Sequence, residues 1–136
     1  MTAGFEVTES AGLEGFYPEI VAKKAVAIGP QIKQTFSLAY KKGVPIGFAT
    51  DAGVFPHGEN AREFGYMVDA GVPAMTAIKL ATSVNSEILG MEDQIGQLKK
   101  GYFADIVAVR SNPLIDIKVL ENITFVMKDS VLYKDE

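Results

Sequence analysis

Apolar positions recur along this chain with two periods, and the change from one to the other divides it. From Pro18 the stretch "PEIVAKKAVAIG" reads as a helix with proline at its start, where a missing N–H costs nothing. Gly29 and Pro30 are expected to end it. A second helix is predicted over 31–42, because Ile32, Phe36, Ala39 and Tyr40 share one face, with Gly43 as its C-terminal cap. "VPIGFAT" (44–50) is a short apolar run bounded by punctuation, the pattern of a buried parallel strand. After a loop over 51–59, Asn60 with Glu63 resembles a capping box. The helix it starts turns Ala61, Phe64 and Met67 or Val68 inward and stops at Gly71. Another helix runs from Pro73 to about Thr82, and "NSEILG" adds a short turn ending at Gly90. Helix, strand, helix and helix in that order are α/β in character.

From Gln94 the period shortens. "ADIVAV" follows a Lys-Lys-Gly turn and has β-rich composition. Residues 123–128 and 131–134 flank Asp129-Ser130 and read as a tight hairpin, although such a turn prefers glycine where Ser130 stands. The last third is thus expected to form a small antiparallel β unit, joined to the rest near 91–96. Residues 1–17 show no period and read as a loop, with Phe5, Phe16 and Tyr17 as core or contact residues. No repeat or low-complexity segment interrupts the pattern.

Composition narrows the function classes. The 136 residues, 48% apolar and 22% charged, suit an ordinary globular domain. A net charge of −4 supplies no basic footprint, which argues against nucleic acid as a partner. With no cysteine there are no disulfides, thiolate metal sites or cysteine nucleophile. No apolar run reaches the ~20 residues needed to cross a bilayer, so no membrane partner is expected. "MTAGFEVTESAG" lacks the basic-then-apolar pattern of a secretory leader, and the expected location is cytoplasmic.

"GFATDAG", followed by "GVPAMTAIKLATSVNSEILGMEDQIGQLKKGYFADIVAV", carries a recognisable combination. An Asp at a strand end, then "AT..N...LG", then "G.L..G..AD.V.V", in that order, resembles the C-terminal third of a metal-dependent amidohydrolase. The similarity is greatest to the imidazolonepropionase and Xaa-Pro dipeptidase branch. The resemblance implies an α/β fold: the last strand and flanking helices of a (β/α)₈ barrel, plus part of a small antiparallel β-sandwich. Residues 1–92 would belong to the barrel and 93–136 to the sandwich. A whole barrel needs eight strands and roughly 250 residues, so the N-terminal barrel portion is an expected partner that this sequence does not contain.

What the resemblance implies for chemistry centres on Asp51. At the C-terminal end of a barrel strand its carboxylate would face the site. It would serve there both as a ligand of a divalent metal, zinc by preference, and as the base and then acid in cleaving a C–N bond. Read locally, an Asp at such a junction bonds its own backbone instead. His57, the sole histidine, lies in a loop that would rim the pocket and is a candidate substrate contact. Arg62 reads as a solvated helix residue, and Lys99 and Lys100 as turn charges. Gly47, Gly53 and Gly58 match no phosphate-loop pattern. The family's other metal ligands lie on earlier strands, so the chain alone is expected to bind no metal and to be inactive. The whole protein is expected to take a dipeptide or other small molecule. A deaminase of the same superfamily, or a non-catalytic binding domain on the same scaffold, are the competing readings. An apolar barrel strand with open edges invites pairing, so the chain is expected to form a homo-oligomer.

Overall fold

The computed structural model describes residues 19–52 and 57–136. The loop expected over 1–17, its three aromatics, the helix start at Pro18 and Gly53 lie outside the described residues. The chain divides into two compact units: one comprises residues up to Pro45 with Ala49–Val72, the other Ile46–Phe48 with Pro73–Glu136.

In the first unit a single helix, α1, runs from Glu19 to Lys41. The break expected at Gly29-Pro30 does not occur. An interior proline forfeits one backbone hydrogen bond and costs about 3 kcal/mol. The Ala, Ile, Lys and Gln residues on both sides favour helix, and the face formed by Ile32, Phe36, Ala39 and Tyr40 turns away from solvent, with Phe36 buried. Burial of that face anchors the part of the helix beyond Pro30. Gly43, at φ +71°, ends it with a Schellman pair: its own N–H donates to the Tyr40 carbonyl (3.0 Å) and that of Val44 to the Ala39 carbonyl (3.1 Å).

Helix α2 spans Arg62–Asp69 and buries Met67, as its apolar spacing predicts. Gly71, at φ +99°, closes it in the same way, with bonds from Gly71 N–H to Val68 and from Val72 N–H to Met67. Its start differs from expectation. Position Ala61 is already helical and receives no side-chain cap, while Glu63 is only 2% exposed and lies inside the unit. Among the described residues, Met67, Ala70, Val72 and Phe36 are the unit's buried apolar side chains.

In the second unit, α3 (Ala74–Ala81) begins directly after Pro73 and is separated from α4 (Ser83–Ile88) by Thr82, whose backbone leaves the helical region. The Thr82 hydroxyl donates to the Ile78 carbonyl at 2.8 Å. The end of α4 falls at Gly90, as the sequence predicts. Ala77, Leu80, Ser86 and Ile117 are buried.

The C-terminal part forms one antiparallel sheet, ordered β1 (Ile106–Ala108), β2 (Phe125–Lys128), β3 (Val131–Asp135). Ile106 faces Met127 and Ala108 faces Phe125 across the first ladder. A bulge in the second leaves Tyr133 as the extra residue on β3. Asp129 and Ser130 form the two-residue turn with φ +48° and +65°, the positive pair that a type I′ turn demands. A 3₁₀ helix over Ile117–Glu121 was not signalled by periodicity; the Asp116 carboxylate caps it by accepting from Lys118 N–H at 3.0 Å.

The predicted strand over 44–50 is neither a strand nor buried. Its geometry is still extended in character, because Ile46, Phe48 and Thr50 are half-buried while Gly47 and Ala49 are exposed. A parallel ladder draws on strands brought alongside by crossover connections. The strands among the described residues all join the antiparallel sheet instead.

Candidate functional site

The 44–50 stretch delivers the chain to Asp51, and two asparagines hold it. Within the second unit, the side-chain amide of Asn85 on α4 meets both backbone groups of Phe48. Phe48 N–H donates to Asn85 Oδ1 (3.0 Å), and Asn85 Nδ2 donates to the Phe48 carbonyl (2.8 Å). One side chain thus reproduces the donor–acceptor pair that a neighbouring strand would offer. Gly47 is needed beside it: a Cβ there would lie 2.9 Å from Asn85 Oδ1 and 2.7 Å from Ile88 Cδ1.

Within the first unit, Asn60 Nδ2 donates to Thr50 Oγ1 (3.0 Å), and Asn60 Oδ1 accepts from Gly58 N–H (3.2 Å). The expected capping box is therefore not formed, because the Asn60 amide is committed to these two bonds. Thr50 immediately precedes Asp51, and Gly58 immediately follows His57. Glu59 and Arg62 pair at 3.1 Å beside them, with the Arg62 side chain still in contact with solvent.

Asp51 is exposed, and its backbone is left-handed at φ +51°. Asp tolerates that region better than most residues, yet it still costs of order 1–2 kcal/mol and persists only where flanking structure dictates it. His57 is exposed as well, in the turn completed by Gly58. The structure places both candidates in a stretch whose two ends Asn60 ties together. Catalytic zinc takes three protein ligands and a water. Asp51 and His57 supply two donors, and among the described residues no three His, Asp or Glu side chains gather to hold a metal ion. These residues do not make a metal centre by themselves.

A separate groove is lined by Lys33, Gln34, Ser37 and Lys41 of α1 with Asp69 and Ala70; it contains neither Asp51 nor His57. Lys99, expected as a turn charge, lies 5.0 Å above the Tyr102 ring, whose hydroxyl donates to the Glu92 carbonyl (2.7 Å). Among the described residues no helix is long and apolar enough to cross a membrane.

Sequence reasoning passed over Thr50 and the holding roles of Asn60 and Asn85. Asn85 had a signal, as the Asn of "AT..N...LG". Asn60 had one that pointed elsewhere, because Asn followed by Glu three residues later is also how a helix cap is written.

Comparison with known proteins identifies the family. A profile of the amidohydrolase family matches residues 24–134. Ochratoxinase of Aspergillus niger is 34% identical over 134 residues, which are 95% of this chain and 27% of that protein. The crystal structure of a Xaa-Pro dipeptidase with methionine bound in its active site superposes with a TM-score of 0.87 at 51% identity, over 97% of this chain and 32% of that one. A 5-methylthioadenosine/S-adenosylhomocysteine deaminase of Teredinibacter turnerae is 32% identical over 92 residues, 60% of this chain and 21% of that protein. The chain therefore spans about a fifth to a third of the length of these relatives.

Proposed function

The chain belongs to the amidohydrolase family, and we propose that it supplies the proton-carrying carboxylate, Asp51, of an enzyme that hydrolyses a C–N bond in a Xaa-Pro dipeptide. The 51% identity to a Xaa-Pro dipeptidase over nearly the whole chain carries this choice of substrate class. In this reading residues 1–92 belong to a (β/α)₈ barrel and 93–136 to a β-sandwich, with Asp51 at the mouth of the barrel.

Amide hydrolysis needs a proton removed from the attacking water and a proton delivered to the departing amine. Asp51 does both: its carboxylate takes the water's proton as the oxygen bonds to the carbonyl carbon, then returns it to nitrogen as the C–N bond breaks. An exposed position suits a group that must exchange a proton with water and substrate in turn. His57 contacts the substrate from the opposite end of the same tied stretch. The family resemblance implies a divalent metal, zinc in our reading, with Asp51 among its ligands. Since the described residues do not complete such a centre, the 136 residues alone are proposed to be inactive.

The deciding test is Asp51→Asn in the full-length gene product. Cleavage of Xaa-Pro dipeptides is expected to fall at least 10²-fold, in the range of lost acid–base catalysis. Unchanged cleavage would remove Asp51 from the mechanism, and cleavage absent in both forms would favour a binding domain. The likeness to a deaminase supports a second reading, in which the same carboxylate serves release of ammonia from a purine nucleoside. Assaying ammonia release beside dipeptide cleavage separates the two.

A further inference from the structure

Of the bonds around the candidate residues, those of Asn60 are the most specifically placed. Its two amide atoms reach Thr50 and Gly58, residues on the two flanks of the stretch that begins with Asp51 and ends with His57. We infer that Asn60 is a positioning residue: by tying Thr50 to Gly58 it imposes the left-handed backbone of Asp51 and so aims the carboxylate. This rests on the reading of Asp51 as the proton carrier.

Three observations converge. Asn60 spends both donor and acceptor within this stretch and none on capping α2, which begins without a side-chain cap. Residues bonded this way cannot shift singly, because moving Thr50 away from Gly58 breaks one of the two bonds. Asp51, next to the tied Thr50, occupies a backbone region that costs energy and needs external constraint. Gly58 contributes a second device, since its φ of +104° is open to glycine and lets its N–H turn toward Asn60.

The test separates the hold from the chemistry. In the 136-residue chain, a strong intraresidue Hα–HN cross-peak at Asp51 reports positive φ, and amide exchange at Gly58 reports its bond to Asn60. Asn60→Ala is expected to reduce the Asp51 cross-peak to ordinary strength and to speed Gly58 exchange about tenfold. The signals of β1, β2 and β3 should remain in place. Thr50→Val serves as the second disruption should Asn60→Ala fail to fold, and Thr50→Ser, which keeps the hydroxyl, should restore both signals. In the full-length gene product, Asn60→Ala should lower kcat by about 10–100-fold with KM within about twofold, as misplacement of a reacting group does. A folded Asn60→Ala or Thr50→Val variant that keeps the Asp51 cross-peak overturns the inference. Failure of the underlying reading looks different: Asp51→Asn would keep full activity while the Asn60 signals behave as described.

Discussion

The side-chain amide of Asn85 engages Phe48 through both of its backbone groups, at 3.0 and 2.8 Å, across 37 residues of sequence. It fixes an extended stretch that forms no ladder among the described residues. Replacing Asn85 by Ala removes both bonds and leaves part-buried backbone groups to find other partners. At about 1 kcal/mol per bond, the expected loss is about 2 kcal/mol, or a fall in Tm of roughly 6–8 °C for a chain of this size. Asn85→Asp keeps the acceptor but sets a second carboxylate oxygen against the Phe48 carbonyl, acceptor against acceptor, and should lose at least as much. Gly47→Ala disturbs the same contact through its Cβ, so the double variant should cost clearly less than the sum of the singles. Strict additivity in thermal melts would show that Gly47 and Asn85 act separately.

Ser130 holds φ +65° with a Cβ present. Relief of left-handed strain by Ser130→Gly is worth about 1–2 kcal/mol, against about 0.5–1 kcal/mol for the freedom glycine gains in the unfolded chain. A net stabilisation of about 0.5–1 kcal/mol is expected, seen as a higher urea midpoint at unchanged slope.

Asp105 braces that hairpin by accepting from Lys128 Nζ and from Asp129 N–H (2.8 Å). The Lys128 ammonium, helped by the Asp129 amide, holds the Asp105 carboxyl below its usual range, and the same contact raises Lys128. A lowered carboxyl contributes stability above its unfolded pKa, about 3.9, and loses it as pH falls through the folded value. The raised lysine contributes below its unfolded pKa, about 10.4, and loses its share as pH rises through the folded value. Urea midpoints of the native chain minus those of Asp105→Asn should therefore be flat between about pH 5 and 9 and shrink at either extreme. A difference independent of pH down to about pH 2 would dissociate the pair from stability.

Several large apolar side chains face solvent: Leu98 and Ile115 are 84% and 86% exposed, and Val107, Leu132 and Tyr133 of the sheet are more than half exposed. Surfaces of this kind drive association. Light scattering of the 136-residue chain should show a mass that rises with concentration, and Leu132→Lys should reduce it. A monomer at every concentration would count against homo-oligomer formation.

Local chemistry was legible without coordinates. Gly43, Gly71 and Gly90 end their helices where the sequence puts them, because a left-handed cap is decided by one residue and its immediate neighbours. The hairpin at Asp129-Ser130 was legible for the same reason. The amidohydrolase motifs identified the family, since their order along the chain is itself sequence information. Tertiary structure decided whatever depends on partners distant in sequence. It carried α1 through Pro30, because packing of the face beyond the proline offsets a cost that the local sequence alone would not. It left "VPIGFAT" without a ladder, because hydrogen bonds between strands depend on what lies alongside. It drew Asn60 from a local cap to Thr50, ten residues back, and Asn85 to Phe48, because a side-chain amide bonds whatever complementary groups the folded backbone brings within 3 Å.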